Sequence, residues 1–361
     1  GVGAMLQFIK ERLNDYDVSC FVNELFEASK GLGRLEAKID SYRFNSILVP
    51  MLHKKEAISS MYIEGTQTTI SDVFENEVSP KSNPDKTTQE VNNHSKTLVY
   101  GADYLRTEDF SNKFIQKLHE LMLTGIIDKS KEDTLGKYKT KKNFIVNSVG
   151  TIVFEPPSEK ETKKYMNELI AFMNDMKDGI NPLIKAAIIH SQFESIHPFE
   201  DGNGRVGRLL VSLYLFKSKV INVPFFYISE AISQDKAVYY NKLTDTRKNN
   251  YNEWIKFFLQ KIIVQTSKHI RYVDSLNQLY EKTKKITQES TKSAKCDDIV
   301  ECLFTHPVLT SSYLSERLGV STGQAKRYLN VLEEKHVLLK NDRQRNQMFY
   351  FVELLDLVRS Y

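Results

Sequence analysis

Apolar side chains recur at helical spacing along almost the whole chain, and within its first 290 residues one island of extended-type sequence interrupts them. No other feature of the 361 residues constrains the fold as strongly. Within 20–40, Phe21, Leu25, Ala28, Leu32 and Leu35 suit one face of an amphipathic helix. Residues 51–64 read as a second helix, packing through Leu52, Ala57, Ile58, Met61 and Tyr62, with Pro50 in its first turn and Gly65 as its stop. Further helices are expected over 88–106, 110–124, 159–175, 181–196, 209–219, 233–247 and 252–290. Pro182 fits the first turn at 181–196, where Ile184, Ala187, Ile188 and Ser191 share a face. Residues 79–86 read as a loop. The exception is 136–157. There Tyr138, Phe144, Ile145, Val146, Ile152, Val153 and Phe154 favour strands, Asn147–Gly150 supplies a turn, and Pro156-Pro157 ends the hairpin. The expected class is mainly α, with a β-hairpin and a small separate domain over the last 66 residues.

Composition narrows the setting. With 41% hydrophobic and 27% charged residues, the chain can bury a core without a disulfide or metal staple. Its three cysteines, Cys20, Cys296 and Cys302, are odd in number and lack metal-ligand spacing, so a reducing, cytoplasmic setting is expected. Residues 1–5 show no basic stretch followed by a long apolar run, so no secretory leader is expected. No apolar run approaches the ~18 residues of a membrane span, and no membrane partner is expected. A net charge of +4 is too small to announce a nucleic-acid binder, though 261–295 holds eight Lys or Arg against three Asp or Glu.

The chemistry concentrates in Ile196-His197-Pro198-Phe199-Glu200-Asp201-Gly202-Asn203-Gly204-Arg205-Val206-Gly207-Arg208, a loop feeding a helix N-terminus. Glycines there let successive backbone N–H groups face one concavity, which suits an anion. Arg205 and Arg208 add guanidinium forks matched to phosphate. Asp201 offers a hard oxygen for the Mg²⁺ that accompanies a polyphosphate. His197 has the side chain suited to a general base near neutral pH. These are the parts that phosphoryl-type transfer requires. Gly202, Gly204 and Gly207 also spell G-x-G-x-x-G, but a helix rather than a strand precedes them and no acidic residue occurs from 209 to 229, which argues against a dinucleotide fold. No Gly-Lys-Ser/Thr follows, so the run is not a P-loop either.

The run 197–208 closely resembles the signature of the Fic family, and the resemblance extends over roughly 20–290. It implies a Fic-type helical core with a β-hairpin flap, and an enzyme that uses Mg²⁺ to move AMP from ATP onto a Ser, Thr or Tyr hydroxyl of a protein target or of itself. In that reading His197 deprotonates the hydroxyl and Asp201 holds Mg²⁺. Gly202, Asn203, Gly204, Arg205, Val206, Gly207 and Arg208 bind the phosphates, with Tyr239 and Tyr240 near adenine and ribose. Arg247 falls where family members carry a polar residue near the nucleotide. Phe199 anchors the loop in the core, and Val149, Gly150, Thr151, Ile152, Val153 and Phe154 fall where the flap clamps the target. Ser60, Glu64 and Gly65 match the family's inhibitory helix, which implies a bidentate Glu64–Arg208 pair that keeps the arginine from the γ-phosphate. In some relatives that glutamate also assists AMP removal.

The implied order is an N-terminal helical region (1–100), a catalytic core (101–260), a basic helical linker (261–295) and a winged-helix-like domain (296–361). In the last, 314–320 and 321–329 resemble a helix-turn-helix, and Leu338-Leu339-Lys340 with Met348–Phe351 would form a wing around Arg343 and Arg345. DNA contact would use Gln324, Lys326 and Arg327, but 295–361 holds nine basic and nine acidic residues, and counterion release needs an excess. A protein-contact or homodimerisation role is therefore favoured. The alternatives to AMP transfer are a DNA-binding regulator that senses nucleotide, another nucleotide donor, or AMP removal.

Overall fold

In a computed structural model, described for residues 5–40, 45–78, 85–223, 226–248 and 251–360, the chain is mostly helical. In order it forms α1 (Val22–Asp40), α2 (Asn45–Ile63), α3 (Ile70–Val78), α4 (Lys86–Leu105), α5 (Asn112–Leu123), β1 (Ile145–Val146), β2 (Ile152–Phe154), α6 (Thr162–Asn174), α7 (Pro182–Ile196) and α8 (Asn203–Lys217). There follow α9 (Ser229–Ser233), α10 (Lys236–Thr246), α11 (Asn252–Thr291), α12 (Cys296–Thr305), β3 (Val308–Leu309), α13 (Ser311–Leu318), α14 (Thr322–Glu334), β4 (Leu339–Lys340), β5 (Phe349–Tyr350) and α15 (Val352–Ser360). Short 3-10 turns lie at Ile9–Glu11, Val18–Cys20 and Lys129–Thr134.

The described residues divide into two compact units, one from 1–37, 59–66 and 92–267, the other from 38–58, 67–91 and 268–361. In the first, α7 and α8 pack on one another, with α6 and α10 against α7 and α5 against α8. Both central helices are buried almost all round, which is why neither shows a polar face in its sequence. The Trp254 indole N–H ties α11 to α7 through the Ala187 carbonyl at 2.8 Å. The N-terminal segment closes on α6, where Phe8 stacks on Tyr165 at 4.3 Å and the Tyr165 hydroxyl donates to the Leu6 carbonyl at 2.6 Å. In the second unit β3, β5 and β4 form an antiparallel sheet in that order, and α3 packs against β3 and α15.

Several expectations shift. α2 begins at Asn45, so Pro50 lies inside it rather than in its first turn, and the helix stops at Ile63, one residue before Glu64. The lost i→i−4 bond is tolerated because Ile47, Leu48, Met51 and Leu52 are all buried around it. The helix expected at 209–219 starts six residues earlier, inside the glycine-rich run, and that expected at 233–247 corresponds to α10, with the short α9 preceding it. α3 and α15 were not anticipated. Of the loop expected at 79–86, residues 79–84 lie outside the described residues. The island at 136–157 does form an antiparallel hairpin, but with only two and three residues in its strands.

Candidate active site

The site is assembled where α7 ends and α8 begins. His197 closes α7 in the left-handed region, at φ 50° and ψ 58°, while its N–H still donates to the Phe193 carbonyl at 3.0 Å. Such a conformation is uncommon for a residue with a Cβ and needs surrounding structure to hold it. Gly202 caps α8 at φ 84°, and a Cβ there would come within 2.5 Å of Leu123, so both backbone and space demand glycine.

Three sets of bonds fix the loop between them. The Asn203 side chain accepts from the Phe199 N–H and donates to the Phe199 carbonyl, both at 2.8 Å. That commits the amide to the loop, while the Asn203 backbone N–H lies in the first turn of α8. Phe199 is fully buried, as expected of an anchor, and stacks on His119 with ring centroids 3.9 Å apart. His119 in turn accepts the Gly136 N–H at Nδ1 (3.0 Å), so Nε2 carries the proton it donates to the Asp201 carbonyl at 2.8 Å. Burial holds the His119 pKa down to about 4. Finally, the Lys139 backbone N–H donates to Pro198 O at 2.8 Å, and its ammonium to Ile196 O at 3.1 Å and Asn143 Oδ1 at 2.8 Å. The Asn143 amide reaches His197 O at 3.0 Å and Phe199 O at 3.3 Å. Residues 139–143 thus lace the loop to the strand that follows. The sequence offered faint notice of these supports: His119 sits on the apolar face of α5, and Lys139 and Asn143 stand in an extended stretch, where polar residues are ordinary.

His197 is partly buried and its Nδ1 has no hydrogen-bond partner. Burial, then the charges of Lys139 and Arg247, press its pKa down to about 4. The ring is therefore neutral at physiological pH, the form a general base requires. Burial likewise lowers Lys139 to about 8.

At the mouth of α8 the first-turn N–H groups precede any intrahelical acceptor. The Gly202 N–H donates to Asp201 Oδ1 at 2.8 Å, and Arg205 approaches the same oxygen at 3.5 Å, with the Asp201 carboxylate about half exposed. Above Gly204 stands the carboxylate of Glu64: a Cβ on Gly204 would collide with Glu64 Oε1 and lie 2.9 Å from Arg208 Nη1. An acidic side chain of this protein therefore occupies the place where the helix end and a guanidinium together favour an anion.

Arg208 is almost fully buried, at 1% exposure. Its Nε donates to Ser60 Oγ at 3.1 Å, and its Nη2 to Ser60 O at 3.2 Å and Glu64 Oε1 at 2.6 Å. The pair with Glu64 is single-pronged rather than bidentate, through Nη2 alone, while Ser60 takes Nε and shares Nη2. Burial alone would raise the Glu64 pKa, but Arg208, then Arg205 and His197, more than offset it and hold the carboxylate below its ordinary value. Gly65, at φ 91°, ends the segment in the left-handed conformation typical of a helix stop. α10 bonds to carbonyls of that last turn: the Tyr240 hydroxyl donates to Ile63 O at 3.2 Å and Lys236 to Tyr62 O at 3.4 Å.

Tyr239 lies in the core instead of beside an open nucleotide face. It is fully buried, and its hydroxyl meets His190 Nε2 at 2.7 Å. Tyr240, at 40% exposure, stays at the edge of the site. Arg247 donates to Ser195 Oγ at 2.9 Å and lies over the Phe154 ring at 5.0 Å, which links the hairpin to the end of α7. Val206 is a core residue of α8, and Gly207 faces Glu194. In the hairpin, Asn147 organises the turn by accepting the Val149 and Thr151 N–H groups at 3.1 and 2.9 Å, with Gly150 at φ 82°. Val146, Val149 and Ile152 are exposed around it, while Val153 and Phe154 are partly covered.

The Fic/DOC family sequence model matches residues 109–215, and that of the Fic/DOC family N-terminal region matches 22–103. A probable protein adenylyltransferase of Aquifex aeolicus is 26% identical over 218 residues, covering 54% of this chain and 63% of that protein. The protein adenylyltransferase Fic of Nematostella vectensis is 28% identical over 123 residues, covering 34% of this chain and 26% of its own. The chain thus spans less than two thirds of these curated relatives. The crystal structure of a Fic family protein from Desulfovibrio desulfuricans superposes with a TM-score of 0.58 at 21% identity, covering 93% of this chain and 97% of that one. A Fic domain containing signaling protein from Bacteroides thetaiotaomicron gives 0.53 at 24%, covering 68% and 97%.

Proposed function

The chain belongs to the Fic/DOC family, and from that premise we propose that it is an autoinhibited protein adenylyltransferase. The observation that carries the reading is the Glu64 carboxylate lodged between Arg208 and Gly204, at the mouth of α8. ATP would place its phosphates on the first-turn N–H groups and Arg205, with the γ-phosphate calling on Arg208. Neutral His197 takes the proton of a target Ser, Thr or Tyr hydroxyl while that oxygen bonds to the α-phosphorus. The bond from the α-phosphorus to the bridging oxygen breaks and pyrophosphate leaves. Among the described residues no three His, Cys, Asp or Glu converge on a metal, but Mg²⁺ needs few protein ligands when phosphates and water complete its shell. The half-exposed Asp201 carboxylate suits that role, and the ion would offset phosphate charge. While Glu64 holds Arg208, the γ-phosphate has no grip and the α-phosphate is poorly aligned.

The target would add its backbone to the hairpin edge, where exposed Val146, Val149 and Ile152 offer apolar contact. The division proposed on sequence (1–100, 101–260, 261–295 and 296–361) is kept as part of this reading. The last segment, a winged helix in it, is assigned to protein contact or self-association; in α14, Gln324 and Arg327 are bonded to each other and Gln324 to Tyr328. A cytoplasmic site of action is supported by the three free cysteines, and no described helix is long and apolar enough to cross a membrane.

The deciding experiment incubates Glu64→Gly with Mg²⁺ and ATP labelled at the α-phosphate, with wild type and Glu64→Gly/His197→Ala beside it. Label on protein should rise at least about tenfold on loss of Glu64 and fall by roughly 10²–10⁴ on further loss of the base. Equal labelling of all three forms would remove this reading.

A further inference from the structure

Glu194, on the last turn of α7, is a buried carboxyl that the proposed chemistry leaves without a task. It is 8% exposed, and its Oε1 is buried with no hydrogen-bond partner. It lies where Gly207 has no side chain: a Cβ there would collide with Oε1. Leaving a polar atom orphaned in a core is costly unless another state of the protein uses it. The charged groups facing Glu194 are Arg208 from α8, Arg247 at the end of α10 and Glu64 beyond α2, and the un-ionised Tyr239 and Tyr240 phenols stand beside them. With Glu64 in place, Arg208 already has its counter-ion. With Glu64 withdrawn, a guanidinium 1% exposed would be left without one, and a buried unpaired charge is strongly unfavourable.

We propose that Glu194 is the reserve counter-ion of Arg208, a positioning residue that neutralises the buried guanidinium when Glu64 withdraws and keeps it in place for the nucleotide. The inference rests on Glu64 acting as a brake. It makes release a proton-linked step. In the held state burial, and then Glu64, push the Glu194 pKa up to about 7 despite the arginines. In the released state the repulsion from Glu64 is gone and Arg208 faces Glu194, so the carboxyl ionises more readily. The held state thus binds the extra proton, and release becomes easier as pH rises toward about 7 and levels off above it.

Two measurements on the full chain test this. First, the ratio of AMP transfer by wild type to that by Glu64→Gly is followed from pH 5.5 to 8.5, since contributions from His197 and Lys139 largely cancel in the ratio. It should climb by up to about tenfold per pH unit below neutrality and then flatten, and Glu194→Gln should abolish the climb. Second, melting temperatures of wild type, Glu64→Gly, Glu194→Gln and the double variant form a cycle. The double variant should lose more than the two single losses combined, because only it strands Arg208. A pH-independent ratio with Glu194 intact, or additive losses, overturns the proposal; a merely structural Glu194 would leave the ratio unmoved. Should the double variant not fold, the ratio decides by itself. Should no form transfer AMP while the melting losses remain non-additive, the counter-ion role stands and the adenylyltransferase reading falls.

Discussion

At the scale of single residues, the loop is a case of side chains spent on shape so that others can be spent on chemistry. Asn203 and Phe199 lie inside the signature, yet their side chains bind only the loop and its supports. His119, outside the signature, does as much as either. We expect His119→Ala to lower stability by roughly 2–4 kcal/mol, the sum of a lost ring stack and two buried hydrogen-bond partners, in urea denaturation. His197 makes a pH-dependent prediction. A histidine at its ordinary value of about 6.5 would be some nine-tenths protonated at pH 5.5 and would cost a base about tenfold in rate. With its pKa near 4, transfer by the Glu64→Gly form should hold steady between pH 7 and 5.5. A tenfold decline over that interval would show that the imidazole is not as desolvated as its surroundings imply.

At the scale of elements, the decisive unit is the turn from α7 to α8 together with the segment 139–143 that braces it and runs into the hairpin. Lys139 and Asn143 bond to loop carbonyls on the one side, and Arg247 spans from Ser195 to Phe154 on the other. In the proposed reading, a target seated on the hairpin would thereby be coupled to the position of His197. Val146→Asp with Ile152→Asp should reduce labelling of a protein target by roughly 10–100-fold, the worth of two apolar contacts, while calorimetric ATP affinity stays within about twofold. Loss of ATP affinity in that variant would place the hairpin in the nucleotide site instead. The helices around the turn were legible because their apolar residues repeat at helical spacing and their starts and stops use Pro182 and Gly65. Pro50 misled for a local reason: a proline reads as a boundary, yet the apolar residues on both sides of it are buried together, and that burial outweighs one lost backbone bond. α15 was missed because Val352–Ser360 follows a strand pair directly, with no punctuating glycine or proline.

At the scale of the whole molecule, burial of titratable groups sets the response to acid. His53, His119, His197 and His306 are held at about 4, and His190 and His269 at about 3, in each case first by burial. Unfolded, each returns to about 6.5 and binds a proton that the native state refuses, so stability present above that value is lost as pH falls toward 4. Glu194, raised to about 7, runs the other way but is one group against six. The urea midpoint should therefore drop clearly between pH 7 and 5, by several kcal/mol in stability, and a flat profile would contradict the burial of these rings. The sequence by itself determined the mainly helical class and the phosphate-suited residue types of the loop at 197–208, because spacing along a chain and side-chain type are local facts; a Glu64–Arg208 pair was expected only from the resemblance to the Fic family. Only the tertiary structure decided that Tyr239 is buried in the core, that the Asn203 amide bonds to the loop, that His119, Lys139 and Asn143 hold it, and that an oxygen of Glu194 is buried without a hydrogen-bond partner. Those outcomes depend on which distant segments share one small volume, and burial and charge there belong to the assembled neighbourhood rather than to any stretch of sequence.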